Sequence, residues 1–331
     1  MRYLFYVCLL VFNTNYLLAQ EIQSQSRIDE IVVTAEFNDI DAYSISSSIS
    51  VIGENDISKR NANHLEDLLF IAPNVNYSSG ASRGKFYQIR GIGERSEFTE
   101  PVNYSVGVII DGIDFTGIAL GASTFDVKQI EVLRGPQGTL YGANALAGLI
   151  NIVSNDPTED FYSEISGSIS EFGGRDFGII LSNSNDNNFG YRLGFKNSKS
   201  DGFIKNVYLN RDDTNDIDET ISRAKFTKNN ATAKLTLNIF YADIDNGYDA
   251  FSLDNTRTTY SDEPGYDRQK TTAASTKFEK TIGNSHIIEI LASFADSKLG
   301  YAYDEDWSNT GICNNTPCDS TLFGFDWWYS S

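Results

Sequence analysis

Histidine and cysteine, which often act as bases, nucleophiles or zinc ligands, are scarce in this chain. The sequence contains two histidines, His64 and His286, and His64 lies close to Glu66 and Asp67 with no nucleophile beside it. A lone histidine in that setting favours a surface or helix-capping role over catalysis. A zinc site needs about four ligands, so a metal site is not expected either.

Known catalytic patterns are not found elsewhere in the sequence. There is no grouping of nucleophile, base and orienting residue, no HExxH sequence and no phosphate-binding loop. The segment Gly91–Ser96, GIGERS, has the wrong glycine spacing for a dinucleotide-binding loop. The sequence therefore predicts that the protein is not an enzyme and has no catalytic, cofactor-binding or metal-binding residues.

Two charged residues stand out in the stretch Gln129–Val153, QIEVLRGPQGTLYGANALAGLINIV. Glu131 and Arg134 lie there among apolar residues, and charges in such a setting must be paired if they are buried. The segment also holds four glycines, which imply tight turns or close backbone packing rather than a helix: Gly135, Gly138, Gly142 and Gly148.

Two apolar strand-like runs, Ile130–Leu133 and Leu149–Val153, must position those charges. The whole stretch resembles the end of the plug domain of the TonB-dependent outer-membrane receptors, in which IEVLRGPQGTLYG leads into INIV and then the barrel. The alternative is a glycine-rich corner of a soluble β-domain. The resemblance implies an α+β plug domain followed by antiparallel transmembrane β-barrel strands.

The plug domain is predicted to span residues 45–157. A strand is expected over Ser46–Val51 and a helix over Glu54–Phe70, because leucines repeat on one face of the latter and Pro73 follows it. Further strands are expected over Phe86–Gly91 and Val106–Gly112. Both resemble strands of the family, although the second ends in Ile-Asp-Gly rather than Val-Asp-Gly.

The resemblance also nominates functional residues in the plug. It implies that Arg90, Glu131 and Arg134 lock the plug to charged residues of the barrel wall, and pairing among themselves is the alternative. Five residues on turns between plug strands are candidates for ligand contact: Tyr77, Arg83, Phe98, Asn103 and Phe115.

The N-terminal residues read as a targeting signal and a free segment. Arg2, the apolar run Tyr3–Phe12 and Ala19 are typical of a signal peptide over residues 1–19, and that run is shorter than the about 20 residues that span a bilayer. In residues 20–44, the segment Asp29–Ala35, DEIVVTA, resembles the TonB box. Such a segment would bind TonB by strand addition, whereas an edge strand is the ordinary alternative. The predicted TonB-binding residues are Asp29, Glu30, Ile31, Val32, Val33, Thr34 and Ala35.

Residues 161–331 show the period-two alternation that a transmembrane barrel strand requires. Phe189, Tyr191, Leu193 and Phe195, for example, alternate with smaller or polar residues. We count eight such segments, near 162–171, 175–182, 188–198, 219–227, 231–242, 269–281, 285–297 and 321–330.

The connections between these segments are alternately short and long. The long, polar connections are 199–218, 243–268 and 298–320, and outer-membrane barrels place long loops outside and short turns in the periplasm. A soluble β-sandwich is the alternative. Eight strands would close into a barrel filled by its own side chains, whereas plugged barrels have about 22. The expectation is therefore an incomplete barrel and a truncated chain.

Charge and cysteine content restrict the remaining classes. The chain has 45 acidic and 26 basic residues and a net charge of -19, which does not suit nucleic-acid binding. Cys313 and Cys318 share one polar loop, so a disulfide is predicted, with free thiols or a metal pair as alternatives. Aromatic residues between Tyr301 and Tyr329 could form a membrane girdle or a surface that faces a ligand.

The resemblance implies a receptor in the outer membrane of a Gram-negative bacterium. It would take up a scarce small ligand, foremost a ferric siderophore or another iron complex, with haem, cobalamin and glycans as other family ligands. The implied partners are TonB with its inner-membrane energising complex and the outer-membrane lipid. A passive porin and a soluble periplasmic binding module are the rival classes.

Overall fold

The computed structural model describes most of the chain beyond residue 48. The described residues are 32–33, 40–41, 48–78, 82–95, 104–138, 144–248, 251–253, 255–263, 265–283, 286–315, 324 and 328–330. Within them, helices long and apolar enough to cross a membrane are not found.

The first part of the chain, which we call the plug, folds around a five-stranded mixed sheet. Its elements are β3 (Ser48–Gly53), α1 (Glu54–Lys59), β4 (Val75–Ser78), β5 (Phe86–Ile89), β6 (Val106–Ile110), β7 (Ile113–Asp114), β8 (Val127–Arg134) and β9 (Gly148–Ser154), after the short strands β1 (Val32–Val33) and β2 (Ile40–Asp41). The strand order of the sheet is β3-β8-β9-β6-β7, while β4 and β5 pair with each other.

The two apolar runs of the stretch Gln129–Val153 are strands, as predicted, and the structure shows them as neighbours in this sheet. β8 and β9 pair antiparallel, with Ile130 opposite Ile152 and Val132 opposite Ile150. This register places Glu131 opposite Asn151, in the middle of the sheet. The glycine-rich connection allows the chain to turn back, since Gly135 has a φ of 112°.

The helix predicted over Glu54–Phe70 is wrong beyond its first turns. The α-helix ends at Lys59, and two 3-10 turns follow at Leu65–Asp67 and Leu69–Ile71. Asn61 takes a φ of 48°, which a helix does not accommodate. The leucine spacing still reports burial correctly, because Leu65, Leu68 and Leu69 are fully buried.

The second part of the chain forms one antiparallel sheet of eight strands, which we call the wall. Its strands, in sheet order, are β10 (Tyr162–Ile169), β11 (Arg175–Ser184), β12 (Phe189–Ser200), β14 (Ile217–Asn229), β15 (Ala233–Gly247), β17 (Tyr266–Ile282), β18 (His286–Asp304) and β19 (Trp328–Ser330). The eight predicted segments correspond to these strands. Only residues 324 and 328–330 of the last segment are described.

One face of the wall is apolar and the other packs against the plug. Leu193, Leu237 and Ile239 lie on the exposed face, whereas Arg192, Arg223 and Asn238 lie on the covered face. On the covered face, Ile221, Phe240, Ala242, Ile244 and Ala273 belong to the same buried cluster as the plug core. The alternation of each strand therefore separates a face without protein neighbours from a face that holds the plug.

The wall strands are longer at one end than the sequence pattern indicates. The pairing continues to Ser200 opposite Ile217 and to Gly247 opposite Tyr266, so the long loops shrink to 201–216, 248–265 and 305–327. We call this end the loop end and the opposite end the turn end. Two loops are joined by the parallel strands β13 (Lys205–Asn206) and β16 (Thr258–Thr259), and the third contains the four-residue helix α2 (Ile312–Asn315).

Candidate functional site: the contact between plug and wall

At the loop end, the plug segment Ser82–Lys85 lies in a polar cradle on the wall. Glu219, Asn246 and Asp267 form the cradle from three neighbouring strands, β14, β15 and β17. The Asp267 carboxylate accepts hydrogen bonds from Ser82 N (3.0 Å) and Ser82 Oγ (3.1 Å), and it lies 3.6 Å from Lys85 Nζ. Asn246 Nδ2 donates to Ser82 Oγ at 3.0 Å and to Glu219 Oε1 at 2.9 Å.

Arg83 makes the strongest contact of this cradle. Its Nε and Nη2 donate to the two Glu219 carboxylate oxygens at 2.8 and 3.1 Å, a bidentate arrangement, and its Nη1 lies 3.3 Å from Glu66 Oε1. The side chains of Arg83 and Glu219 are only 15% and 11% exposed. Burial acts to lower the pKa of Arg83, but the carboxylates of Glu219 and Glu66 outweigh it and raise that pKa above its ordinary value.

Nearer the turn end, a second ion pair joins plug and wall. Arg192 on β12 donates from Nε to Asp126 Oδ2 at 2.8 Å and from Nη2 to Asp126 Oδ1 at 2.6 Å. Both side chains are buried, at 9% and 4% exposed. Asp126 immediately precedes β8, so this pair fixes the start of the strand that carries Glu131 and Arg134.

Two further wall cations on β14 complete this lower contact. Lys225 Nζ donates to the backbone oxygen of Ser154 at 2.8 Å and lies 3.3 Å from Asp156 Oδ1 and 3.7 Å from Asp111 Oδ1. Arg223 Nη2 donates to a plug backbone oxygen at 2.7 Å, and Nη1 lies 3.8 Å from Asp111 Oδ2. Burial acts to raise the pKa of Asp156, but Lys225 and other lysines outweigh it and lower that pKa.

The two contacts have opposite polarity. In the upper contact the plug supplies the cations Arg83 and Lys85 and the wall supplies carboxylates. In the lower contact the plug side supplies carboxylates and the wall supplies Arg192, Arg223 and Lys225. Sliding the plug along the strands would bring like charges together, so this polarity specifies one height of the plug on the wall.

Apolar contacts of defined shape lie between the charged ones. Phe115 of the plug is fully buried, and its ring meets the Phe240 ring edge to face at 5.0 Å. Phe125 of the plug lies over two wall glycines: a Cβ added at Gly194 would be 3.0 Å from its ring, and one at Gly178 would be 3.4 Å away. These glycines therefore leave room for an aromatic side chain of the plug.

Of the predicted TonB-binding segment, the structure describes Val32–Val33 alone; Asp29, Glu30, Ile31, Thr34 and Ala35 lie outside the described residues. Val32 and Val33 pair antiparallel with Asp41 and Ile40. The Val33 side chain is fully buried in a small cluster on the plug sheet with Ile109, Leu133, Ala145 and Leu149. The TonB-binding role of this segment stays a prediction.

The predicted locking residue Glu131 lies inside the plug. It is fully buried and accepts hydrogen bonds from Gln129 Nε2 at 2.6 Å and Asn151 Nδ2 at 3.0 Å. Neither Arg90 nor Arg134 forms an ion pair with it among the described residues. Glu131 is therefore part of a polar network within the plug sheet, and its locking role stays a prediction.

The two predicted locking arginines lie near each other. Arg134 donates from Nη2 to Ser50 Oγ at 2.8 Å and from Nε to the Pro73 oxygen at 3.0 Å, and Arg90 is exposed. Burial and the neighbouring charge of Arg90 lower the pKa of Arg134. Within the described residues no carboxylate lies within ion-pair distance of either guanidinium, so their locking role stays a prediction.

The five residues predicted to contact a ligand have different surroundings. Tyr77 is 42% exposed and lines an open cleft with Phe70 and Arg60. Arg83 is engaged by carboxylates of wall and plug, and Phe115 has no exposed surface, which places both in the plug contact with the wall. Phe98 and Asn103 lie outside the described residues.

Two remaining sequence predictions concern Cys313 and His64. Cys313, in α2, is disulfide-bonded, and Cys318 lies outside the described residues. His64 caps the first 3-10 turn, since its Nδ1 accepts the Glu66 N–H at 3.4 Å, and it is buried rather than exposed. Burial lowers its pKa, so the ring stays neutral near pH 7.

The main contact residues of the wall were missed by sequence reasoning. Glu219, Arg192, Arg223, Lys225 and Asp267 all occupy the strand positions that alternate with outward-facing residues. The signal was therefore present, since a charged residue at an inward position of an amphipathic strand needs a partner inside. The alternation does not say which plug residue that partner is.

Comparison with known proteins agrees with this architecture. The model of the TonB-dependent receptor plug domain matches residues 41–149. The chain is 30% identical over 159 residues to the vitamin B12 transporter BtuB of Vibrio vulnificus, covering 47% of this chain and 25% of that protein. It is 30% identical over 149 residues to the pesticin receptor of Yersinia pestis, covering 44% and 22%. The aligned part thus spans about a quarter of the length of these relatives.

Solved structures show the same fold over more of the chain. The ferric yersiniabactin uptake receptor FyuA from Yersinia pestis has a TM-score of 0.69 at 21% identity, covering 78% of this chain and 42% of that one. The closed form of the ferric-catecholate import receptor Fiu from E. coli has a TM-score of 0.65 at 20% identity, covering 82% and 40%. These relatives are transporters and receptors, not enzymes. The chain therefore carries the plug domain of the TonB-dependent receptors over residues 41–149, and the strands that follow it have the fold of the barrel strands of such receptors.

Proposed function

We propose that the protein is an outer-membrane receptor that takes up a scarce ligand, with an iron complex such as a ferric siderophore as the favoured class. The observation that carries the proposal is the docked plug. A folded domain is fixed by buried ion pairs to the inner face of an amphipathic sheet. A pore closed in this way cannot work as an open passive channel, so uptake requires an outside source of work.

The exposed face of the wall supports a membrane location. Phe195, Leu237, Ile239, Ile290 and Phe294 are each at least 37% exposed on this face. A continuous apolar band is costly in water and suits the hydrocarbon region of a bilayer. A soluble periplasmic module would instead remain in buffer without detergent, which membrane fractionation tests directly.

TonB is the proposed partner, acting through the segment Asp29–Ala35. An extended segment offers main-chain hydrogen bonds to a partner strand. Replacing Ile31 and Val32 with proline removes two of those donors, so we expect energised uptake to be lost while ligand binding at the cell surface persists. Proline at Gln23 and Ser24, in the polar flank, serves as the matched control. Uptake that persists when Ile31 and Val32 are both replaced by proline would instead support a passive porin.

Arg90 and Arg134 are proposed as additional plug locks. Two neighbouring guanidinium groups, one of them buried, are unfavourable unless carboxylates compensate them. The proposed partners are wall carboxylates beyond the strands described. Arg134→Met should then loosen the plug in the membrane-embedded receptor, measured as faster hydrogen exchange of β3 and β8, whereas a role confined to Ser50 and Pro73 predicts the same loss for Ser50→Ala.

The ligand class can be decided by uptake measurements. Cells that carry the receptor as their only one of this family would be given radioactive iron complexes or radioactive cyanocobalamin. Cobalamin is the second candidate because the sequence relatives at 30–32% identity include vitamin B12 transporters. Energised uptake of cobalamin without any iron complex would overturn the iron proposal and keep the receptor proposal.

A further inference from the structure

Five aromatic side chains form a cluster at the loop end of the wall. Tyr248 lies at its centre, with ring centroids 5.1 Å from Tyr301, 5.5 Å from Tyr303 and 5.8 Å from Phe251. Phe251 in turn stacks on Trp307 with a centroid distance of 4.6 Å and an angle of 12° between the planes. The cluster joins the loop 248–265 to the end of β18.

The outer members of the cluster are open to solvent. Phe251 is 37% exposed and Trp307 is 38% exposed, whereas Tyr248 and Tyr301 beneath them are buried. Trp307 holds a φ of 55°, which is strained for a bulky side chain. Asp304 Oδ1 stabilises this backbone by accepting the N–H groups of Asp306 and Trp307, each at 3.1 Å. The fold thus keeps an indole at the surface at a conformational cost.

The cluster lies directly above the plug contact. Lys85 Nζ of the plug segment is 4.7 Å from the centre of the Tyr301 ring and 3.6 Å from Asp267 Oδ1. Tyr301 therefore shares the plug-facing side of β18 with Asp267 of the neighbouring strand. A molecule resting on Phe251 and Trp307 would be one side-chain layer away from the segment Ser82–Lys85.

The loops around the cluster are strongly acidic. The spans 201–216, 248–265 and 305–327 contain twelve acidic and three basic residues, so their net charge is -9. The acidic residues are Asp201, Asp212, Asp213, Asp216, Asp249, Asp254, Asp262, Glu263, Glu305, Asp306, Asp319 and Asp326. The short turns 185–188, 230–232 and 283–285 carry a single acidic residue, Asp186. Among the described residues of the three long spans, eight acidic and three basic residues remain, so the described part of the loop end carries a net negative charge.

Aromatic faces attract organic cations through their quadrupole, most strongly for tryptophan. A surface of one sign also raises the local concentration of ligands of the opposite sign and repels others. We propose that the Phe251–Trp307 stack is a docking surface for a ligand that carries an organic cation, an alkylammonium or guanidinium group. The proposal rests on the proposed function in one respect, that the loop end faces the outside. A polyanionic iron complex is disfavoured at the loop end, because the acidic loops repel it.

The first test reads the potential at Trp307 without any ligand. The three tryptophans are Trp307, Trp327 and Trp328, so the full chain with Trp327→Phe and Trp328→Phe in detergent reports Trp307 alone. Collisional quenching by caesium, iodide and neutral acrylamide is compared at low and high salt. We expect caesium to quench at least about threefold better than iodide after correction for free tryptophan amide, with the ratio falling toward one at high salt. Iodide quenching that equals or exceeds caesium quenching overturns the proposal.

The second test measures binding of two probes of similar size, benzyltrimethylammonium and benzenesulfonate, by equilibrium dialysis. The cation should bind the native chain more tightly than the anion, and Trp307→Ala should weaken it by roughly fivefold or more. Trp307→Phe, which keeps an aromatic face, should retain most of the affinity. Tyr208→Ala removes a 51% exposed aromatic from another loop and is the matched control.

Binding that is equal for the two ions, absent for both, or unchanged in Trp307→Ala contradicts the proposal. Both tests are at equilibrium and need no energised uptake, so their outcome is separate from that of the TonB-segment variants. A chain that prefers the cation but shows no TonB-dependent uptake would overturn the proposed function and keep the docking surface. A chain that shows TonB-dependent uptake but no preference for the cation would overturn the docking surface and keep the proposed function.

Discussion

The upper and lower contacts between plug and wall use the same chemistry with the signs exchanged. Arg83 of the plug meets Glu219 of the wall near the loop end, whereas Asp126 at the start of β8 meets Arg192 of the wall near the turn end. If all the inward-facing charges of the wall had one sign, the plug could be held at many heights along the strands. Because the sign changes between the two contacts, a shift of the plug along the strands would bring like charges together, and one height is favoured.

The two contacts also differ in what surrounds them. The upper one fixes a short loop, through Ser82, Arg83 and Lys85, and lies beneath the aromatic cluster. The lower one fixes the start of β8 and the backbone at the end of β9, close to the covalent passage into the wall. We therefore expect the upper contact to be the one that ligands and force can release separately.

The largest expected effect comes from breaking the upper contact. Glu219→Leu removes both acceptor oxygens and leaves Glu66 as the one carboxylate paired with the buried Arg83 among the described residues, and losing one partner of a buried pair costs about 3 kcal/mol. Native-state hydrogen exchange should show faster exchange for residues 82–89 of the plug. Asp218→Leu is the matched control, since its pair with Lys199 is about 40% exposed and worth at most about 0.5 kcal/mol. Equal effects of the two changes would contradict the ranking.

Breaking the lower contact should have a smaller and differently placed effect. Asp126→Asn keeps one acceptor oxygen for Arg192, so we expect a loss of about 2 kcal/mol. Exchange should rise for residues 123–130 and not for residues 82–89. Arg192→Met should raise exchange at the same residues, because it removes the other partner of the same buried pair. If either single change opened both regions equally, the two contacts would be one cooperative unit and the comparison would fail.

A still smaller effect is expected from the glycine that faces Phe125. In Gly194→Ala the new methyl would lie 3.0 Å from the Phe125 ring, and crowding of this kind costs about 1 kcal/mol or more. Phe125→Leu in the same chain should relieve part of that cost. Gly138→Ala is the control because a Cβ there meets no atom within 4 Å. Thermal unfolding in detergent measures all three, and additive losses would argue against the contact.

The smallest effect concerns pH and distinguishes the upper contact from the lower one. His64 packs near Glu66, Arg83 and Glu219, and burial lowers its pKa below that of an unfolded histidine, 6.5. The unfolded chain therefore binds more protons as the pH falls through 6.5, so the stability that His64 contributes is present above that pH and is lost below it. His64→Gln should reduce the loss of protection at residues 82–89 between pH 7.5 and 5.5. An unchanged pH dependence would contradict this assignment.

Much of the fold could be predicted from the sequence because strand alternation is a local property. The eight wall strands follow from period-two patterns, and β8 and β9 follow from two apolar runs on either side of a glycine-rich segment. The helix over Glu54–Phe70 failed because leucine spacing reports burial, whereas Asn61 and the 3-10 turns reflect packing against the plug sheet. The strand extensions at the loop end were missed because Asp243, Asp245 and Arg268 read as loop residues, although they pair across strands on the exposed face.

The candidate site was the less predictable part. Arg83 has the exposure-prone sequence context SRGK, and only the wall carboxylates opposite it make it a buried ion-pair residue. Phe115 is a second example. Its position on a turn between plug strands predicts contact with a ligand, whereas in the folded chain its ring packs against Phe240 of the wall. Contacts between residues more than a hundred positions apart leave no local pattern, since each partner keeps its own strand or turn signal whatever it meets.

The sequence by itself determined that this chain has two apolar strands on either side of a glycine-rich segment, an amphipathic sheet of long strands and an acidic set of long loops. Those features depend on side-chain periodicity, glycine placement and charge count, which are written along the chain. Only the tertiary structure decided which charges meet across plug and wall, that their polarity reverses between the two ends, and that an indole is held open above the plug. These depend on how two separately folded surfaces match in height and shape, and that match exists only once both are formed.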